Sequence, residues 1–293
     1  MRDINEKVLF MYPHGEFGWF IQYIRFVYSH KCNEKVVCCR RGDELFFPNA
    51  NRFLYDFPDC DIPDENRQGT YISQQECQFK IILEKQYPEF FIYHPGLYYN
   101  HKIFYHTLAV PLVPKIIRGI KCEIVLGPRQ RKRRHRKNLP YWQGVVDKLI
   151  SDGISVGVTG RKDTTFNLKG VINSWDYEDN HSSSIEMLQN CKVFCSAATG
   201  TAALAANCNV PMLLLVQNRL DWAPIYKLWN KDIIMSIPFT STVMASLTSQ
   251  KLYDALIQFY RDVCDGKAGS MTYGGEEIAK LWEAEWEIQR PFI

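Results

Sequence analysis

In the stretch VFCSAATGTAALAANCNVP, Val193–Pro211, an apolar run ends at Ser196 and gives way to small residues, Ala197–Thr201. A helix-forming run follows. Small residues let a ligand approach the backbone, and a helix start offers unpaired N–H groups at the positive end of its dipole. The hydroxyls of Thr199 and Thr201 could add hydrogen bonds. Such a turn suits a phosphate or diphosphate. Equally, Ala and Gly here could serve only to pack the helix tightly on a sheet.

A second apolar run leads into VLGPRQRKRRHRKNLPYW, Val125–Trp142. Arginine can hold phosphate oxygens bidentately and lysine supplies a point charge. Arg129, Arg131 and Lys132 lie nearest the run and are the candidate phosphate ligands; Arg133–Lys137 reads as a solvated face or a contact for an anionic partner. Without interleaved aromatics, and with a net charge of only +3, nucleic-acid binding is not expected. Two further apolar runs end in VTGRKD and INSWDYED. They place Thr159, Gly160 and Arg161, then Trp175 or Tyr177 as a base-stacking ring, in the same kind of position. A structural reading, packing at strand ends, stands beside each.

Near the N-terminus, YPHGEFGWF sets Glu16 between Gly15 and Gly18, with His14 before it and Trp19 after it. By itself this is a carboxylate favoured by a helix start. The pair Asp59 and Asp61, in FPDCDIPDEN, has the look of a DxD metal site, but no strand feeds it, so a solvated loop is expected and no metal is called for. YHPGLYYNH, with His94 and His101, could line a cleft for a second substrate, though a lone loop histidine is the commoner case.

These segments need elements to hold them. KVLFMY, KVVCCR and FFIYHP read as strands, GWFIQYIRFVYSH as a helix, and FKIILEK continues the alternation. From residue 121 it becomes regular: KCEIVLGP, ISVGVTG, GVINSW, KVFCSA and VPMLLLV as strands, with PYWQGVVDKLISDG, SSSIEMLQNC and TGTAALAANC as helices. The serines at 182–184 look like caps for the second of these. Repeated βαβ units imply parallel sheets covered on both faces, an α/β chain with two Rossmann-like domains. The boundaries fall at 1–115, 116–275 and a closing aromatic helix at 276–293 with Trp282 and Trp286.

Length, 46% hydrophobic and 23% charged residues fit a globular chain. No run reaches the roughly 20 apolar residues of a membrane helix. The charged start, MRDINEKVLF, is unlike a signal peptide, so a cytoplasmic location is expected, with peripheral membrane contact left open. Ten scattered cysteines without a CxxC pair read as reduced, mostly buried thiols.

The motifs IVLGPRQRK, SVGVTG, SSIEMLQNCKVF and ATGTAALAANCNVP, in this order, resemble the donor domain of GT-B glycosyltransferases of the heptosyltransferase-like group. The resemblance covers about residues 122–225 and extends to VLFMYPHGEFGWFIQYIRF. It implies two Rossmann-like domains facing a cleft, with the C-terminal helix crossing back to the first. It further implies an inverting, metal-independent glycosyltransferase that needs no cofactor and uses a UDP- or GDP-linked sugar, with a glycan acceptor, as monomer or dimer. Glu16 matches the position of the family's catalytic base, and Thr199 and Gly200 match its Thr-Gly at the diphosphate. His14, Gly15 and Trp19 fall on the acceptor side. Ala198 and Ala203 stand where the family has an acid and a histidine against the donor sugar, which points away from heptose. An epimerase-like sugar-nucleotide enzyme, or a non-catalytic polyanion-binding module built on Arg129–Lys137, are the alternatives.

Overall fold

A computed structural model describes residues 6–11, 24, 27–28, 30–55, 74–93, 119–130, 141–177, 180–197, 199–208, 210–216, 234–238 and 248–267. The chain divides into two compact units, Met1–Pro114 and Lys115–Ile293.

The first unit holds a four-stranded sheet, β1 (Lys7–Phe10), β2 (Glu34–Cys38), β3 (Arg52–Leu54) and β4 (Phe91–Tyr93), in the order β3-β2-β1-β4. All its pairs are parallel. Val8, Leu9 and Phe10 are fully buried, so consecutive side chains on opposite faces are both covered. That is the signature of a central parallel strand. Helix α1 (Gln74–Gln86) leads into β4. Ile24, Val27 and Tyr28 are helical, and the last carbonyls of that segment are capped from the sheet side. The buried Lys35 ammonium donates to Val27 O at 2.6 Å, and Asn49 Nδ2 donates to Tyr28 O at 2.8 Å. A cation and an amide donor at a helix C-terminus satisfy carbonyls that have no intrahelical partner.

In the second unit the sheet has six parallel strands: β5 (Ile124–Gly127), β6 (Val156–Val158), β7 (Ile172–Asn173), β8 (Val193–Ala197), β9 (Met212–Val216) and β10 (Ile234–Pro238). Their order is β10-β9-β8-β5-β6-β7. Counted from β5, this is the 3-2-1-4-5-6 order of a doubly wound sheet. The helices are α2 (Trp142–Ser151), α3 (Asn180–Asn190), α4 (Gly200–Asn207) and α5 (Ser249–Cys264). Trp142, Val145, Val146 and Leu149 of α2 join Leu252, Leu256, Ile257 and Phe259 of α5 in one core against the sheet. Each fully buried side chain of this size contributes about 1.5–3 kcal/mol. Close approach of α2 and α5 requires Gly144, where a Cβ would lie 2.5 Å from Ser249 Oγ. At the amino ends of the strands, Tyr260 donates to Glu123 at 2.7 Å and so pins α5 to the start of β5. That bond holds the Glu123 carboxyl below its ordinary range.

Two expectations change. Helix α3 begins at Asn180, so Ser182, Ser183 and Ser184 are buried inside its first turns rather than capping it. The sequence pattern predicts no element in the 52–54 segment or between VPMLLLV and the terminal helix, where β3, β10 and α5 stand. The proposed helix at 276–293 lies outside the described residues.

The described cysteines are free thiols, buried at Cys38, Cys39, Cys122 and Cys195 and exposed at Cys264. Burial pushes Cys39 and Cys122 up to about 12. A thiol reacts as its thiolate. Iodoacetamide at pH 8 is therefore expected to leave Cys39 and Cys122 unmodified in the native protein and to label Cys264, with all of them reacting in guanidinium; peptide mass spectrometry reads the difference. Rapid native labelling of Cys122 would contradict this packing.

Candidate functional site

Strands β5 and β8 are neighbours from which the chain leaves toward opposite edges of the sheet: β5 is followed on its side by β6, and β8 by β9. The carboxyl ends of two such strands flank a crevice, and ligands bind there in open α/β sheets. Gly127 closes β5 and lies in register with Ser196 of β8.

Gly127 has no room for a side chain. A Cβ would lie 2.8 Å from Ser196 Oγ and 3.0 Å from Phe194 Cζ. In the space left by this glycine, the fully buried Ser196 hydroxyl approaches Gly127 O at 3.0 Å and Ala197 O at 2.7 Å. Ser196 Oγ is also 3.1 Å from Thr199 Oγ1, which is 2.8 Å from Thr201 Oγ1. Thr199 precedes α4, and its hydroxyl accepts from Ala202 N–H at 3.4 Å, as an N-cap side chain does. A chain of three hydroxyls thus runs from the end of β5 to the half-buried first turn of α4.

After Gly127 the backbone continues through Pro128 to Arg129, which forms an antiparallel bridge with Thr165. Gln130 N–H donates to Thr164 O at 2.8 Å, and Phe166 N–H to Pro128 O at 2.9 Å. The start of the basic segment is therefore a short ribbon tied to the segment after β6. Thr165 Oγ1 leans over Gly160, whose φ of +142° favours glycine and where a Cβ would come within 2.4 Å of that oxygen.

The residues expected after β6 and β7 are otherwise engaged. Thr159 is buried; its N–H donates to Leu126 O at 3.0 Å, and its hydroxyl has no partner. Its hydroxyl is therefore the polar group it leaves unpaired. Arg161 is exposed but forks onto Asp163, with Nε and Nη2 at 3.1 and 2.9 Å from the carboxylate oxygens. Trp175 packs on the core of the unit. The structure so brings Gly127, Ser196, Thr199, Gly200 and Thr201 together at the β5–β8 switch point, with Arg129 just beyond β5. Arg161 and Trp175 follow strands one and two places away.

Glu16, His14, Gly15, Trp19, Arg131, Lys132, the rest of the basic run, Asp59, Asp61, His94 and His101 lie outside the described residues. Among the described residues, no group of three or more His, Cys, Asp or Glu is placed to hold a metal ion, and no helix is long and apolar enough to cross a membrane.

No family model and no curated protein sequence matches the chain. Solved structures do. A family 9 glycosyl transferase from Veillonella parvula DSM 2008 aligns with a TM-score of 0.56 at 9% identity, over 88% of this chain and 98% of that one. The ADP-heptose LPS heptosyltransferase II of E. coli aligns with a TM-score of 0.53 at 14% identity, over 87% and 99%. E. coli heptosyltransferase WaaC, with ADP-2-deoxy-2-fluoro heptose, aligns with a TM-score of 0.50 at 12% identity, over 86% and 99%. At these identities the likeness is one of fold. The chain shares the α/β fold of these GT-B glycosyltransferases.

Proposed function

We propose that this chain is a glycosyltransferase that moves a sugar from a nucleotide-diphosphate donor to a hydroxyl of a glycan or glycoconjugate, with inversion and without a metal. The observation that carries the reading is the β5–β8 switch point, where a glycine-ended strand leading to Arg129 and a capped helix start lie side by side. The diphosphate is held there by the N–H groups at the start of α4 and by Arg129, with Arg131 and Lys132 following it in the chain. As the bond to the anomeric carbon breaks, the leaving diphosphate gains charge, and donors fixed beforehand stabilise it in the transition state. Cationic side chains and a helix start supply what a divalent ion would otherwise supply. Glu16, which follows β1 in the sequence, takes the proton of the attacking hydroxyl. Thr159, Gly160, Arg161 and Trp175 would lie toward the nucleoside, Arg161 only on leaving Asp163. Because two of the aligned enzymes are named for or bound to ADP-heptose compounds, ADP-linked donors join UDP- and GDP-linked ones as candidates.

A thermal-shift screen with UDP-, GDP-, ADP- and CMP-sugars tests this. A ligand present at 100 times its Kd stabilises by about 2.7 kcal/mol, which raises Tm by several degrees in a chain of this size. One nucleotide class is expected to do so, and its sugar to be transferred equally well with and without EDTA. Activity lost in EDTA and restored by Mg²⁺ or Mn²⁺ would end the metal-independent part. Product released without an acceptor would instead mark a sugar-nucleotide-processing enzyme. Salt-dependent capture of polyanions, with no nucleotide sugar shifting Tm, would mark a polyanion-binding module.

A further inference from the structure

The three hydroxyls at the switch point carry one proton each, and their surroundings dictate where each proton goes. Ser196 Oγ lies 3.0 Å from Gly127 O and 2.7 Å from Ala197 O. Carbonyl oxygens only accept, so the Ser196 proton must point at them; turned elsewhere, it would leave lone pairs facing lone pairs in a fully buried site. Ser196 can then only accept at its 3.1 Å contact with Thr199 Oγ1, so Thr199 donates to it. With its proton spent, and with Ala202 N–H already donating to it, Thr199 must accept across the 2.8 Å contact with Thr201. The proton order is Thr201 to Thr199 to Ser196 to a carbonyl. Thr201, half-buried in the first turn of α4, is left with lone pairs and no proton for a ligand.

We infer that Thr201 is a sugar-specificity residue: its hydroxyl, polarised by the chain that ends on Gly127 O and Ala197 O, accepts a hydrogen bond from a hydroxyl of the transferred sugar and does not donate to the diphosphate. Ser196 is the positioning residue that sets this polarity. The inference rests on the nucleotide-sugar reading above. It divides the labour of the turn: backbone N–H groups take the phosphate oxygens, which need donors, and Thr201 takes the sugar, whose hydroxyls can donate.

The test measures Kd by calorimetry for UDP, GDP and ADP, and for UDP-glucose, GDP-mannose and ADP-glucose, on the full chain. Thr201→Val keeps the shape and removes the oxygen; Thr201→Ser keeps the oxygen. For the nucleotide that the wild type binds, Thr201→Val is expected to leave the Kd of the free diphosphate within twofold and to weaken its sugar conjugate by about three- to tenfold, the worth of one ordinary hydrogen bond. Thr201→Ser should match the wild type. Ser196→Ala frees the Thr199 proton to point at Thr201 and is expected to narrow the difference between conjugate and free diphosphate; circular dichroism checks that each variant is folded. Equal weakening of both ligands by Thr201→Val would show a hydroxyl donating to phosphate, and no weakening of either would show one out of reach; each overturns the inference while leaving the nucleotide-sugar reading intact. A wild type that binds none of the six overturns both.

Discussion

Glu16→Gln is expected to lower kcat for sugar transfer by about 10²- to 10⁴-fold while leaving the Kd of the nucleotide sugar within about twofold. The substitution keeps the size and hydrogen-bonding reach of the side chain and removes only its capacity to take a proton. Glu16 follows β1 in the chain, and Gln is nearly isosteric with Glu. Native Tm should therefore hardly change, which separates a lost base from a lost fold. A pH profile supplies the second check. In the wild type kcat/KM falls on the acid side as the base becomes protonated; in Glu16→Gln that limb is absent, because nothing is left to titrate. Transfer persisting near the wild-type rate in a folded Glu16→Gln protein would refute the base assignment, and the carboxylate would then be an acid at a helix start.

The regular half of the fold was readable because central parallel strands announce themselves. IVLG, VGV and VFCSA are wholly buried runs. Pro128 follows the first, and Thr159-Gly160 the second. What escaped had weaker or misleading signals. β10 ends in Pro238 at the sheet's edge, where proline is tolerated because no outer neighbour needs its N–H. α5 was in fact signalled, by Thr248, whose side chain accepts from Lys251 N–H, and by Leu252, Leu256, Phe259 and Val263 at helical spacing. The serines of α3 show the opposite error: their type suggests a cap, but packing draws them inside. In the site, Thr199–Thr201 was legible from one short turn of small residues. Ser196 was not, because its partner Gly127 lies 69 residues away and only the β5–β8 register brings them together. The pairing of Arg161 was not read either, although Asp163, two residues on, holds its guanidinium.

Gly127→Ala is expected to lower Tm by about 2–12 °C, from an overpacking cost of about 1–3 kcal/mol at a few degrees per kcal/mol. The added Cβ would sit 2.8 Å from Ser196 Oγ, 3.0 Å from Ser196 Cβ and 3.0 Å from Phe194 Cζ. None of these can yield cheaply. Ser196 and Phe194 are fully buried, and β5 is held by hydrogen-bonded neighbours on both sides, β6 and β8. Gly153→Ala is the informative contrast: its φ is +77° but nothing lies within 4 Å of the added Cβ, so it bears backbone strain without a clash. If Ser196 is the obstacle, Gly127→Ala combined with Ser196→Ala should lose less stability than the sum of the single variants, because the closest clash, with Oγ, is gone. Strict additivity in thermal melts would mean that the strain lies with Phe194 instead. Binding adds a separate readout. A Cβ that pushes the Ser196 hydroxyl off Gly127 O disturbs Thr199 and, through it, Thr201, so Gly127→Ala should weaken the sugar conjugate more than the free diphosphate. A core defect with no bearing on the site would lower Tm and leave the ratio of the two affinities where it was.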